Sequence, residues 1–112
     1  MKYALPILND KLSPHFGCCS HFAFYDVDDE AKTIQKREVV ASPGHQPGVL
    51  PEWLSQHGVS TIIVNGIGSR AQTIFNEKQI KVVTSAAIEN PEQILQDYLN
   101  GTLTTTDNFC DH

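Results

Sequence analysis

Cysteine is scarce in this chain of 112 residues: there are three, Cys18, Cys19 and Cys110. An odd number, with two of the three adjacent, is a poor basis for the paired framework of a secreted disulfide scaffold. Basic charge is also short, with 8 Lys and Arg against 13 Asp and Glu and a net charge of −5. The one tight basic pair, Lys36-Arg37, is followed directly by Glu38. Phosphate backbones and anionic membranes need clustered cations, so neither a nucleic acid nor a membrane surface is expected as a partner. No run of about 18 apolar residues is present to span a bilayer. Met1-Lys2-Tyr3-Ala4-Leu5-Pro6 lacks the long apolar stretch of a signal peptide, which makes the cytoplasm the expected location. Neither Gly-x-Ser-x-Gly nor Gly-Lys-Ser/Thr occurs. Asp10 and Asp26 could join a nuclease-like carboxylate set only beside a basic surface that the chain does not supply. The expectation is a protein that is not an enzyme.

What is present is the composition of one soluble α/β domain, 40% hydrophobic and 19% charged, without repeats or low-complexity segments. Apolar runs predict strands over Lys2 to Leu8, Phe22 to Val27 and Thr33 to Ala41, with the acidic cluster Asp28-Asp29-Glu30 turning the last two into a hairpin. Pro6 has no N–H to give a ladder, so either the first strand is short or Pro6 lies where pairing has ended. The period then changes. Val49, Leu50, Trp53 and Leu54 share a helical face that stops at Gly58, with His57 placed to complement the helix dipole. Val59 to Val64 reads as a buried strand, and Ile67, Ala71, Ile74 and Phe75 as a second helical stripe. Ile80 to Thr84 is the next parallel strand. Asn90 as N-cap, Pro91 at the first helical position and Gln93 as a capping-box partner open a third helix that stops at Gly101. The order β-β-β-α-β-α-β-α makes a mixed sheet: three strands with an antiparallel start, then two parallel strands, flanked by three helices. Residues 1–101 form one domain on this reading, and 102–112 a mobile tail ending in Cys110-Asp111-His112.

Four segments carry chemistry. Ser13 to His21 holds His15, Cys18, Cys19 and His21, soft and borderline donors suited to iron, copper, zinc or an iron-sulfur cluster, with Pro14 and Gly17 to hold the loop open. The spacing matches no standard zinc knuckle, and a buried cysteine filling the core is the alternative reading. In the tail, Cys110 and His112 are two residues apart and would face one side of an extended segment, unless their position is accidental. Gly66-Ile67-Gly68-Ser69-Arg70-Ala71 follows a strand and opens a helix, so its N–H groups and Arg70 favour an anion. A dinucleotide fingerprint with Glu89 as ribose acceptor would require more β-α units than follow, and two glycines for a tight turn explain the pattern equally. Ser42 to Gly48 is a turn-rich link in which His45 either leans over the same sheet edge or stays at the surface.

Together, Ser13-Pro14-His15-Phe16-Gly17, His45 with Pro51-Glu52-Trp53-Leu54 and His57-Gly58-Val59, Gly66 to Ala71 with Phe75, Tyr98 to Leu103, and Cys110-Asp111-His112 resemble the dinitrogenase iron-molybdenum cofactor biosynthesis domain family. The resemblance implies a ribonuclease-H-like fold with a five-stranded mixed sheet. It also implies binding, storage or transfer of an iron-sulfur or molybdenum-containing cluster, received from or passed to a protein partner. Members commonly carry Arg-Ala or similar residues after His-Phe-Gly, where this chain has Cys18-Cys19. On this reading His15, Cys18, Cys19, Cys110 and His112 are the metal ligands, and Gly66, Ile67, Gly68, Ser69, Arg70 and His45 line the cofactor. The alternative is a small regulatory module that seats a nucleotide or another phosphate-bearing molecule on the Gly-Ile-Gly turn.

Overall fold

The computed structural model describes residues 1–14, 16, 19–43, 49–85 and 90–101. In chain order the elements are β1 (Lys2–Leu8), β2 (Lys11–Leu12), β3 (His21–Asp28), β4 (Thr33–Ala41), α1 (Val49–Gln56), β5 (Thr61–Val64), α2 (Ser69–Glu77), β6 (Lys81–Thr84) and α3 (Pro91–Leu99). The main path of the sheet runs β4-β3-β1-β5-β6, with β2 paired to β1 off that path. β1 is antiparallel to β3 and parallel to β5, and β6 continues the parallel half. The mixed α/β sheet with three helices is therefore as expected, with one short strand added.

That added strand comes from a turn of two residues. Asn9 and Asp10 both have positive φ, 55° and 64°, and bring Leu8 opposite Lys11. Two successive left-handed residues match the right-handed twist of a hairpin, and Asn and Asp tolerate that region better than other residues bearing a Cβ. The acidic hairpin between β3 and β4 forms as read: Asp28 Oδ1 accepts from the N–H groups of Glu30 and Ala31 at 3.0 and 3.2 Å.

Pro6 settles where β1 parts from its neighbour. Lys2 uses its carbonyl on the β5 side, accepting from Ser60 N–H at 2.9 Å, whereas Met1 and Ile7 use theirs on the β3 side. Even-numbered residues of β1 therefore face β5. Pairing with β5 is recorded at Tyr3 and Ala4 only. The missing N–H of Pro6 thus points to a side that β5 has already left, while β1 stays paired with β3 through Ile7. Ser13 N–H takes the Pro6 carbonyl at 2.9 Å.

Strand alternation sorts the core into two layers. Ala4, Phe22, Phe24, Ile62 and Val64 face α1 and α2, packing with Leu50, Leu54 and Phe75. Leu5, Ile7, Ala23, Tyr25 and Ile63 face α3, packing with Ile94, Leu95 and Leu99. β5 is buried along its whole length, as its β-branched run requires. Val59 is buried just before that strand starts, two residues later than read. Ile67 is buried with the α1/α2 layer but precedes α2, so the helical stripe begins later than the apolar spacing suggests.

At α3 the cap forms: Asn90 Oδ1 accepts from Glu92 N–H at 2.9 Å, and Pro91 occupies the first turn. Gln93 donates its side-chain amide N–H to Asp97 Oδ1 at 2.9 Å, one turn on. Among the described residues no helix is long and apolar enough to cross a membrane. The tail 102–112 lies outside the described residues.

Candidate functional site

Four connections leave the sheet at the edge where β1, β5 and β6 end. Ser85 N–H donates to the Val64 carbonyl at 2.7 Å, and the Asn65 side chain donates to the Ser85 carbonyl at 2.8 Å. This clamp joins the ends of β5 and β6. Both residues are buried, Asn65 at 9% and Ser85 at 0% exposure, so the clamp works in a dry setting where an unmade bond would be costly. The sequence places Asn65 beside the Gly-Ile-Gly turn, but its role needs the β6 partner to be visible.

The turn itself divides its labour. Ile67 is 1% exposed and plugs the layer under α1 and α2, so what it offers to the rim is backbone. Gly68 is the N-cap of α2, in an extended conformation with no side-chain cap. The first N–H bonded inside the helix is that of Gln72, to the Gly68 carbonyl at 3.1 Å. The amides of Arg70 and Ala71 come before it, at the positive end of the helix dipole. Ser69 and Arg70 are exposed on that first turn, which has no acidic residue.

Against this turn lies the loop that follows β2. Phe16 N–H donates to the Gly66 carbonyl at 2.9 Å. Its ring is 6% exposed and stands edge-on to Phe75 and Phe22, with centroids 5.3 and 5.9 Å away. The loop closes onto β1 and β4 as well: Ser20 N–H donates to the Ile7 carbonyl at 2.9 Å, and Ser42 N–H to the Ser20 carbonyl at 3.0 Å. Ser13, Phe16 and Ser20, the Gly66–Gly68 turn, the clamp at Ser85 and Ser42 after β4 thus share one rim.

Of the residues read as site residues, Gly66, Ile67, Gly68, Ser69 and Arg70 are on this rim. Cys19 is 3% exposed and packed in the layer with Phe16 and Phe22, which matches the reading of a cysteine that fills the core. His15, Cys18, His45, Cys110 and His112 lie outside the described residues. Among the described residues no group of three or more His, Cys, Asp or Glu side chains is placed to hold a metal ion.

The sequence pattern of the dinitrogenase iron-molybdenum cofactor family matches residues 1–101. The chain belongs to that family. Its similarity to the uncharacterized protein MJ0580 of Methanocaldococcus jannaschii is 36% identity over 106 residues, covering 92% of this chain and 89% of that one. The crystal structure of PH0822 has the same fold at a TM-score of 0.86 and 30% identity, with 96% of each chain covered. The apo form of the orange protein from Desulfovibrio gigas superposes with a TM-score of 0.71 over 96% of this chain and 93% of that one. At 20% identity that likeness shows the fold alone. The family match takes in β1 through α3 together with the whole rim and stops at Gly101, the last residue described.

Proposed function

We propose that this member of the iron-molybdenum cofactor family is a non-catalytic carrier that binds, stores or hands on an anionic iron-sulfur or molybdenum-containing cluster at the rim. The observation that carries the reading is the Phe16-to-Gly66 hydrogen bond, which ties the residue between His15 and Cys18 in the sequence to the turn that opens α2. Thiolate and imidazole from Cys18 and His15 would ligate a thiophilic metal. With Cys19 packed among aromatic rings, the thiol role falls to Cys18 rather than its neighbour. Backbone amides of Gly68 to Arg70 and the Arg70 guanidinium would face sulfide or oxo groups, where helix-end dipoles favour negative charge by about 0.3–1 kcal/mol. Cys110 and His112 would close over the cargo, with His45 at the flank. The cluster comes from a donor protein and leaves to an acceptor, so its protein partners are transient.

Isolation without oxygen, followed by iron, molybdenum and copper analysis and a visible spectrum, tests the reading. Colour and bound metal that disappear in a Cys18→Ala, Cys110→Ala double variant support it. A colourless, metal-free wild type that instead binds nucleotides in a parallel titration would replace it with the phosphate-seat reading of the same turn.

A further inference from the structure

On the other face of the sheet from α1 and α2, an open cleft of about 480 Å³ lies between the β1–β2 turn, β4 and the start of α3. That size falls within the range of small-molecule sites. Its apolar wall is Ile7, Val39 and Pro91. Val39 is 46% exposed, and with Met1 it is one of two large apolar side chains so exposed among the described residues.

The polar lining carries both signs of charge. Asp10, held by the left-handed turn, is on one wall, and Arg37 of β4 is on another. His21 also lines the cleft. Its Nδ1 is 2.9 Å from Ser20 Oγ, which holds the ring against the wall of the cleft.

Arg37 bonds Glu92 of α3 at 3.0 Å, with the two side chains 53% and 48% exposed. An ion pair this open contributes about 0–1 kcal/mol, so an arriving carboxylate displaces Glu92 at little cost.

We propose that this cleft is a second ligand site, for a small zwitterion of the α-amino-acid class. The carboxylate takes Arg37, the ammonium takes Asp10 with His21 alongside, and an aliphatic side chain lies on Ile7, Val39 and Pro91. Phosphate esters and dicarboxylates fit poorly, because Asp10 and the displaced Glu92 would face their second negative charge. The site adjoins the rim at Ser20, but its charged groups, Asp10 and Arg37, lie outside it, and it does not depend on the metallocluster reading.

The test is a panel of the proteinogenic amino acids titrated to millimolar levels into the full-length protein, with backbone amide shifts as readout. The best binder is then compared with its decarboxylated amine and its deaminated acid. Shifts centred on His21, Arg37, Val39 and Asn90, with each singly charged analogue weaker by about tenfold or more, are expected. Arg37→Gln weakens binding by about tenfold. Arg37 is at the surface, so its variant reads binding without disturbing the core. The proposal is overturned if no amino acid moves these amides, if the deaminated acid binds as tightly as its parent, or if Arg37→Gln leaves affinity unchanged.

Discussion

The imidazole of His57 lies 4.6 Å from the indole of Trp53, centroid to centroid, and its Nδ1–H donates to the Trp53 carbonyl at 2.8 Å. The ring also stacks on Phe24 at 5.3 Å, with the planes 20° apart. His57→Ala removes that hydrogen bond and the ring packed on Trp53 and Phe24, and should lower stability by about 1–2 kcal/mol. Urea unfolding followed by the emission of Trp53, the one tryptophan of the chain, measures it, and an unchanged midpoint would show that the ring holds nothing in place.

Phe16 fixes the loop through its ring as well as its backbone. Phe16→Ala removes two edge-on aromatic contacts and opens a cavity beside Phe75, and should cost about 3–5 kcal/mol. Phe16→Leu refills part of that space and should cost markedly less. Urea unfolding of both variants measures the difference, and equal losses would show that volume is not what holds the loop.

The cap of α3 is an independent unit. Asn90→Ala strands the Glu92 N–H and should lower stability by about 1 kcal/mol, while Asn90→Gly loses less. Denaturant midpoints measured at constant slope check the order.

Two tyrosines make the fold sensitive to alkali. Burial pushes the Tyr3 hydroxyl up to about 12 from 10.0, with the charge of Asp29 adding to the shift, and burial does the same for Tyr25. For an acid raised in the folded state, the unfolded chain loses its proton first. Stability is then whole below pH 10 and falls as pH rises from 10 to 12. Absorbance of tyrosinate should show these groups titrating late, together with unfolding. Tyr3→Phe or Tyr25→Phe should remove part of the slope in that window.

How far the chain announces its own fold differs from element to element. β1 and β4 begin and end as read, β1 because its apolar run is long, and β4 because the acidic turn before it and Ser42-Pro43 after it bound the segment. α3 is marked by Asn90-Pro91 because a cap and a prolyl first turn act within a few residues. β2 escapes notice because two residues have no period, and Asn9-Asp10 lacks the glycine that usually flags such a turn. Ile67 falls in step with the α2 stripe because a buried residue before a helix meets the same core as the helix does. At the rim, the glycine turn was visible as a motif. Its union with the loop was not, since one backbone hydrogen bond between residues far apart in the chain leaves no trace in side-chain identity. The same holds for Asn65, whose partner is the carbonyl of Ser85 rather than any side chain. His57 follows the dipole argument, and its ring takes a carbonyl of the last turn of α1.

β4 is the outer strand of the described sheet, and its middle is Lys36, Arg37 and Glu38, all exposed. Water-loving side chains there discourage a neighbour's strand from zipping on. Protection against clumping is thus vested in the charge carried by that border.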